Sequence, residues 1–427
     1  MTTRWRSAAV AVAAVGLVVG PVGAGAGASA GTVYAGGAVA SAAPAPPAPP
    51  APPAPPVPAA TVPAPTPTPA SDGFAQLTPA VTRQLDAAIK KVLAEAKIPG
   101  VIVAVSAPGK GDYVRSFGIA DKATGAPMTP NLNMRIGSVT KTFTVTALLE
   151  LVDEGKVGLD DPIGKYIDGV PNGDRITLRE LAGMRSGLFN YSADEDFYKA
   201  LTSNPDRPFT PQELLGYSFK HPVLFEPNAK FYYCNTNLIL LGLVVEKVSG
   251  VPLDRFIDQK VVAPAGLKHT VFPTGPEFPT PHAHGYTNQT ASGKVEDATD
   301  WNPSWGWAAG AMISDLPDMR SWAKTLATGT LLTPATQAQR LDVVDALPGT
   351  GYGLGIFNVQ GWIGHNGSLP GYGSLVLYLP EAKATLVVLL NTDIGYQGQE
   401  PSTLFGEAIT KIVTPDRVYT LPAQPAS

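Results

Sequence analysis

The sequence predicts an α+β domain. Three observations carry that expectation: β-rich runs lie near both ends of the globular stretch, helical patterns fill the middle, and no internal repeat is visible. The expected arrangement is an antiparallel sheet drawn from both chain ends and flanked by helices, with a mostly helical lobe inserted between them.

The elements follow in chain order. Arg4 and Arg6 precede an apolar run over residues 8–19 and a small-residue stretch ending Ala28-Ser29-Ala30. That is the pattern of a secretory signal peptide over residues 1–30, cleaved after Ala30, and it implies a secreted or extracytoplasmic protein. An uncleaved membrane anchor is the alternative reading of the same run. Residues 31–73 read as a linker, and residues 43–70 within it are almost wholly Ala, Pro and Thr. Proline fixes φ and removes backbone donors, so the segment is expected to be an extended spacer. It is either a stalk near a membrane or cell wall, or a disordered tail. From residue 74 to 427 the composition is globular. Residues 80–96 read as a helix stopped by Ile98-Pro99-Gly100, and the β-rich runs 101–106 and 113–119, parted by Pro108-Gly109 and Gly111, read as a hairpin. A helix is expected from Ser138 to Glu154 with Gly155 as its stop. Residues 374–378 and 385–390 are β-rich with a turn over 380–384, and residues 402–413 fit a closing helix.

With 427 residues, 44% of them hydrophobic, the chain can bury one large core or two lobes sharing a cleft. A formal charge of −4, with 31 basic and 35 acidic residues and no basic block, excludes a nucleic-acid partner. Beyond the N-terminus no stretch has the roughly 20 continuous apolar residues of a spanning helix. One cysteine, Cys234, allows no internal disulfide.

Three short patterns could carry chemistry. A serine hydrolase must deprotonate its hydroxyl and stabilise an oxyanion. Ser138-Val139-Thr140-Lys141 places a hydroxyl and an amine one helical turn apart, with Gly137 before them to let the serine sit at a helix start. A second S-x-x-K, Ser321 to Lys324, falls inside an expected helix and reads as an ordinary surface. Tyr233-Cys234-Asn235 precedes an apolar helical run that ends at Gly250 and could set a phenol into a cleft; Tyr286-Thr287-Asn288 is its rival. Gly364-His365-Asn366-Gly367-Ser368, just before the expected strand at Ser374, offers a polar strand edge along which substrate backbone can lie.

In this order the three patterns resemble the serine β-lactamase and DD-peptidase superfamily, in the branch of class C β-lactamases, D-alanyl-D-alanine carboxypeptidases and related esterases. That branch carries S-x-x-K, Tyr-x-Asn and a Lys-Thr-Gly or His-x-Gly triplet in the same sequence. Ser186-Gly187-Leu188 and Trp307 to Met312 also look like segments of the family, and the likeness covers about residues 75–415. The resemblance implies a β-lactamase/transpeptidase-like fold and an acyl-enzyme on Ser138. It implies Lys141 as the group that deprotonates Ser138 or holds Tyr233 as phenolate, and Tyr233 as general base and acid. Asn235 would bond Lys141 and the substrate amide. His365, Asn366, Gly367 and Ser368 would line the edge facing substrate, and the N–H groups of Ser138 and Ser368 would form the oxyanion hole. Trp305 and Trp307 would either wall the pocket or pack in the core. No cofactor and no metal are implied. The substrate would be a cell-wall D-alanyl peptide, a β-lactam or an ester, by a D-alanyl-D-alanine carboxypeptidase-like or β-lactamase-related activity. A carboxylesterase or amidase, or a non-catalytic penicillin-binding sensor on the same fold, is the alternative.

Departures from the pattern qualify that list. The triplet starts with His365 instead of Lys, which supplies less positive field and implies a higher Tyr233 pKa, with activity rising into the mildly alkaline range. Asn366 replaces the usual Thr and changes the donor available to a substrate carboxylate. Cys234 reads as a small buried residue or, alternatively, as a redox handle on the base. The only G-x-S-x-G, Gly27 to Gly31, falls at the signal cleavage region, and the five histidines show no metal-ligand spacing.

Overall fold

The computed structural model describes residues 73–422, so the signal-peptide segment and nearly all of the expected linker lie outside the described residues. The chain opens with helix α1 (Pro79–Ala96), capped by Thr78 and stopped at Lys97 in the left-handed conformation. The hairpin β1 (Gly100–Ala107) and β2 (Gly111–Gly118) follows as expected. Six further strands come from the C-terminal third: β3 (Val344–Leu347), β4 (Thr350–Tyr352), β5 (Phe357–Val359), β6 (Trp362–Leu369), β7 (Tyr372–Leu379) and β8 (Ala384–Leu390). Together they make one antiparallel sheet in the order β2-β1-β8-β7-β6-β5-β4-β3. The first and last long strands are therefore neighbours, with Val103 opposite Val388.

Every residue of β7 is buried, so the sheet centre is covered on both faces. On one face Gly406 of the closing helix α5 (Pro401–Val413) lies against Leu375, and α1 packs beside α5. The next side chain along β7, Ser374, points the other way and donates to the Ile136 carbonyl at 2.8 Å. On that face stand α2 (Thr140–Asp153) and α4 (Leu316–Thr328), joined by the stacked rings of Phe143 and Trp322. From Thr140 to Leu149 α2 is buried on all sides, the pattern of a central core helix. The helical lobe supplies α3 (Asn235–Ser249), whose apolar run is likewise buried and ends at Gly250 in the left-handed conformation. No single helix among the described residues is long and apolar enough to cross a membrane.

Gly364 to Ser368 is a strand edge, as expected: it forms the second half of β6, paired along its length with β7. Its other side pairs with β5 only as far as Gly364. Residues 365–369 are thus left as a free edge within the sheet, and that edge faces Ser138.

Candidate active site

Ser138 sits in a single 3-10 turn (Gly137–Val139) that leads into α2 and is half-buried. Gly137 adopts φ +52°, and a Cβ there would lie 2.9 Å from the Ser368 nitrogen. Gly367 is equally tight, since a Cβ would approach the Ile136 carbonyl to 2.2 Å. Two glycines therefore let the serine turn press against the β6 edge, and bring the Ser138 and Ser368 backbones alongside one another.

Lys141, one turn into the helix, is completely buried. Its Nζ donates to Ser138 Oγ at 2.8 Å and to the Ala309 carbonyl at 2.7 Å, and stands 5.0 Å from the centre of the Tyr233 ring. Burial pushes the Lys141 pKa well below its ordinary value, because the ammonium loses its water there. Tyr233 lies on the extended segment before α3, 8% exposed, against Phe357 and His365. Burial raises its pKa, opposed by a hydrogen bond to the Ser138 side chain. Burial thus works against the charged form of both side chains, the ammonium and the phenolate.

The expected Lys141–Asn235 bond gives way to another arrangement. Asn235 Nδ2 donates to Ser192 Oγ at 3.0 Å, its backbone N–H donates to Asn190 Oδ1, and its own Oδ1 has no partner among the described residues. His365 is on the free edge but its ring turns inward. Only 1% exposed, it meets the Tyr352 hydroxyl at 3.3 Å and its own strand at the Asn366 carbonyl. Burial, then repulsion from Lys141, lowers its pKa to about 3, so it is neutral. Strand alternation explains the rest: Asn366 and Ser368 face the cleft, whereas His365 and Gly367 do not line it.

The cleft is open to solvent. Ser138, Tyr233, Asn235, Asn366 and Ser368 share it with Trp305, Phe357, Leu347 and Glu400. Trp307, expected to bind substrate, is displaced from that role: its ring packs onto Gly242 of α3, and Trp305, two residues earlier, takes the wall. Cys234 is fully buried with Sγ 3.4 Å from the Leu188 carbonyl, and burial pushes its thiol up to about 11, which keeps it protonated and inert. The rival patterns lie elsewhere. Ser321 and Lys324 are on the exposed face of α4, and the Tyr286 hydroxyl accepts from the Lys122 backbone. His269, Asp315 and Asp318 place ligand atoms within 4.8 Å of one another, but Asp315 caps α4 and Asp318 accepts from His269 N–H and Thr270, which makes the cluster a structural tie.

Glu400, Phe357 and Leu347 escaped the sequence reading. Glu400 had one signal, a glutamate in the N-cap place just before Pro401, where Ser, Thr, Asp or Asn is the usual choice.

An antiparallel sheet with a serine and a buried lysine at its free edge defines the class of β-lactamase-fold serine hydrolases. The Beta-lactamase family model matches residues 85–403, and the chain belongs to that family. Among solved structures it resembles a D-stereospecific amidohydrolase from Streptomyces sp., at 30% identity and a TM-score of 0.67, covering 74% of this chain and 94% of that one. It also resembles the D-amino acid amidase from Ochrobactrum anthropi SV3, at 28% identity and a TM-score of 0.69, covering 78% and 97%. A D-aminopeptidase of Brucella anthropi is 27% identical over 328 residues, 74% of this chain and 60% of that protein. The chain spans 60–64% of the length of such curated relatives.

Proposed function

We propose that the protein cleaves small amides or esters through an acyl-enzyme on Ser138, in the manner of a D-amino acid amidase. The observation that carries the proposal is the Lys141 Nζ at 2.8 Å from Ser138 Oγ on the wall of an open cleft. Neutral Lys141 accepts the hydroxyl proton as Oγ bonds to the carbonyl carbon. The N–H groups of Ser138 and Ser368 take the developing oxyanion, each such donor being worth about 2.7–4 kcal/mol. The proton returns through Tyr233 to the leaving nitrogen or oxygen, that bond breaks, and the acyl group stays on Ser138. Water then attacks the ester carbon, gives its proton to the same Lys141–Tyr233 pair, and releases the acid as Oγ is reprotonated. Asn235 Oδ1, unpartnered and on the cleft, suits a substrate N–H.

The substrate class follows from charge. A D-alanyl-D-alanine peptide and a penicillin each carry a carboxylate beside the scissile bond. Among the described residues lining the cleft there is no Lys or Arg to receive one, and Glu400 would repel it. The names of the relatives make D-amino acid amides the first candidates.

Purified protein is offered D-phenylalanine amide, a D-alanyl-D-alanine peptide, a penicillin and nitrophenyl acetate. Turnover of amide and ester, lost in Ser138→Ala and kept in Ser321→Ala, is the expected result. Hydrolysis surviving Ser138→Ala, or a stable penicillin adduct with no turnover of anything, would sink the proposal; the adduct would identify a sensor. Export belongs to the same proposal, supported by the basic, apolar and Ala-x-Ala order of residues 1–30. The N-terminal mass of secreted protein checks it.

A further inference from the structure

Glu400 stands in the N-cap position of α5, yet its carboxylate makes no bond to the first N–H groups of that helix. It turns instead into the cleft and accepts from Asn366 Nδ2 at 2.7 Å. Partly buried, it forms no ion pair among the described residues, and burial pushes its carboxyl pKa up, an effect that a bound cation would oppose. The charge of Asp393 pushes the Glu400 pKa up further. Asn366 spends its amide on Glu400, so the donor that a substrate carboxylate would need is already engaged. On the same cleft Asn235 offers a second buried oxygen, Oδ1, without a partner. A carboxyl group with no cation beside it and an amide oxygen with no donor, on one cleft with Ser138, describe a receptor for a donor that carries positive charge.

We infer that Glu400, oriented by Asn366, binds a substrate ammonium group, so that the cleft selects acyl donors with a free amine. The inference rests on Ser138 being the nucleophile of a hydrolase and adds to it the chemical class of the acyl group. Glu400 is a binding residue and takes no part in bond making. A free-amine D-amino acid amide would present its ammonium to Glu400 and its carbonyl to Ser138. An N-acylated analogue of the same compound would bury the carboxylate against a neutral amide.

The test is a ratio, kcat/KM for D-phenylalanine amide over kcat/KM for its N-acetyl derivative at pH 7. Wild type is expected to prefer the free amine by about 10- to 150-fold, the range for a hydrogen bond between charged groups. Glu400→Gln, which keeps size and can still accept from Asn366, is expected to bring the ratio close to 1. Glu400→Lys is expected to invert it in favour of the N-succinyl compound. Because each ratio is taken on one preparation, incomplete folding of a variant cancels. Equal turnover of both substrates by wild type, or an unchanged preference in Glu400→Gln, overturns the inference while leaving the hydrolase intact. Nitrophenyl acetate turnover that survives Ser138→Ala overturns the hydrolase proposal itself and the inference with it.

Discussion

Burial moves Lys141 and His365 in the same direction, because each would have to hold a positive charge where water cannot reach it. For Lys141 the consequence is kinetic. The groups facing it are Ser138, Tyr233, Cys234 and His365, and none of them is an anion at neutral pH that would restore its charge. A base must be unprotonated to act, so kcat/KM should rise with pH through the depressed Lys141 value and then level, rather than climb to the ordinary lysine range. Lys141→Arg, unable to lose its proton, should cost about 10²–10⁴-fold. A rate profile that still climbs above pH 10 would point to Tyr233 as the base. For His365 the consequence is stability. Its folded pKa is about 3 against an ordinary histidine value of 6.5, so between those values the unfolded chain binds the extra proton. Stability from this group is complete above pH 6.5, falls as pH drops towards 3, and changes no further below that. The full effect is roughly 5 kcal/mol at 1.36 kcal/mol per unit. His365→Phe, replacing the ring within its cluster of Phe357, Tyr352 and Tyr233, should lose less denaturant stability than wild type between pH 7 and pH 4. Equal losses in the two proteins would show that His365 does not titrate in this window.

The serine turn and the β6 edge depend on one another through Gly137. A methyl group there meets the Ser368 nitrogen and Leu369, and φ +52° is strained for any side chain. Gly137→Ala should therefore lower stability by about 1–3 kcal/mol and lower kcat by more than that loss of folded protein explains. Retained kcat would mean that the oxyanion donors are not set by this contact. The same element shows where sequence reading succeeds and stops. Helices α1, α2 and α5 and the β1–β2 hairpin are readable to within two residues, because 3.6- and 2-residue periodicities end at Pro or Gly signals. Strands β3 to β5 are three or four residues long and glycine-flanked, too short to show a period. The cleft half of β6 is read as a strand edge from its motif and not from propensity: Gly-His-Asn-Gly-Ser has low strand propensity, and beyond Gly364 it is held extended by β7 alone. Ser138, Lys141 and Tyr233 are legible as motifs. The exchange of Trp305 for Trp307 is not, since one ends a short turn and the other opens the next, and they differ only in what the rest of the molecule packs against them. Glu400 enters the cleft from a helix more than two hundred residues beyond the serine, and only tertiary structure brings it there.

At the scale of the whole molecule, the site exists because the two ends of the described chain close one sheet. β1 and β8 form its centre with β7, and α1 and α5 pack together over it, so the free edge of β6 is positioned by strands from both termini. The buried core runs without a break from Phe74 to Tyr419. If the sheet is one cooperative unit, a cavity on the N-terminal strand and another on the C-terminal strand should not act independently. Val103 and Val388 are register partners and both fully buried. Each Val→Ala change should cost about 1–3 kcal/mol through lost burial and the cavity left behind. The double variant should cost less than the sum by at least about 0.5 kcal/mol, because the second methyl loss enlarges a space already relaxed by the first. Denaturant unfolding of the four proteins measures the cycle, followed in parallel by tryptophan fluorescence and by loss of ester hydrolysis. Coincident transitions with a non-zero coupling are expected. Strict additivity, or activity lost well before the fluorescence transition, would mean that the N-terminal hairpin unfolds apart from the strands that carry the cleft.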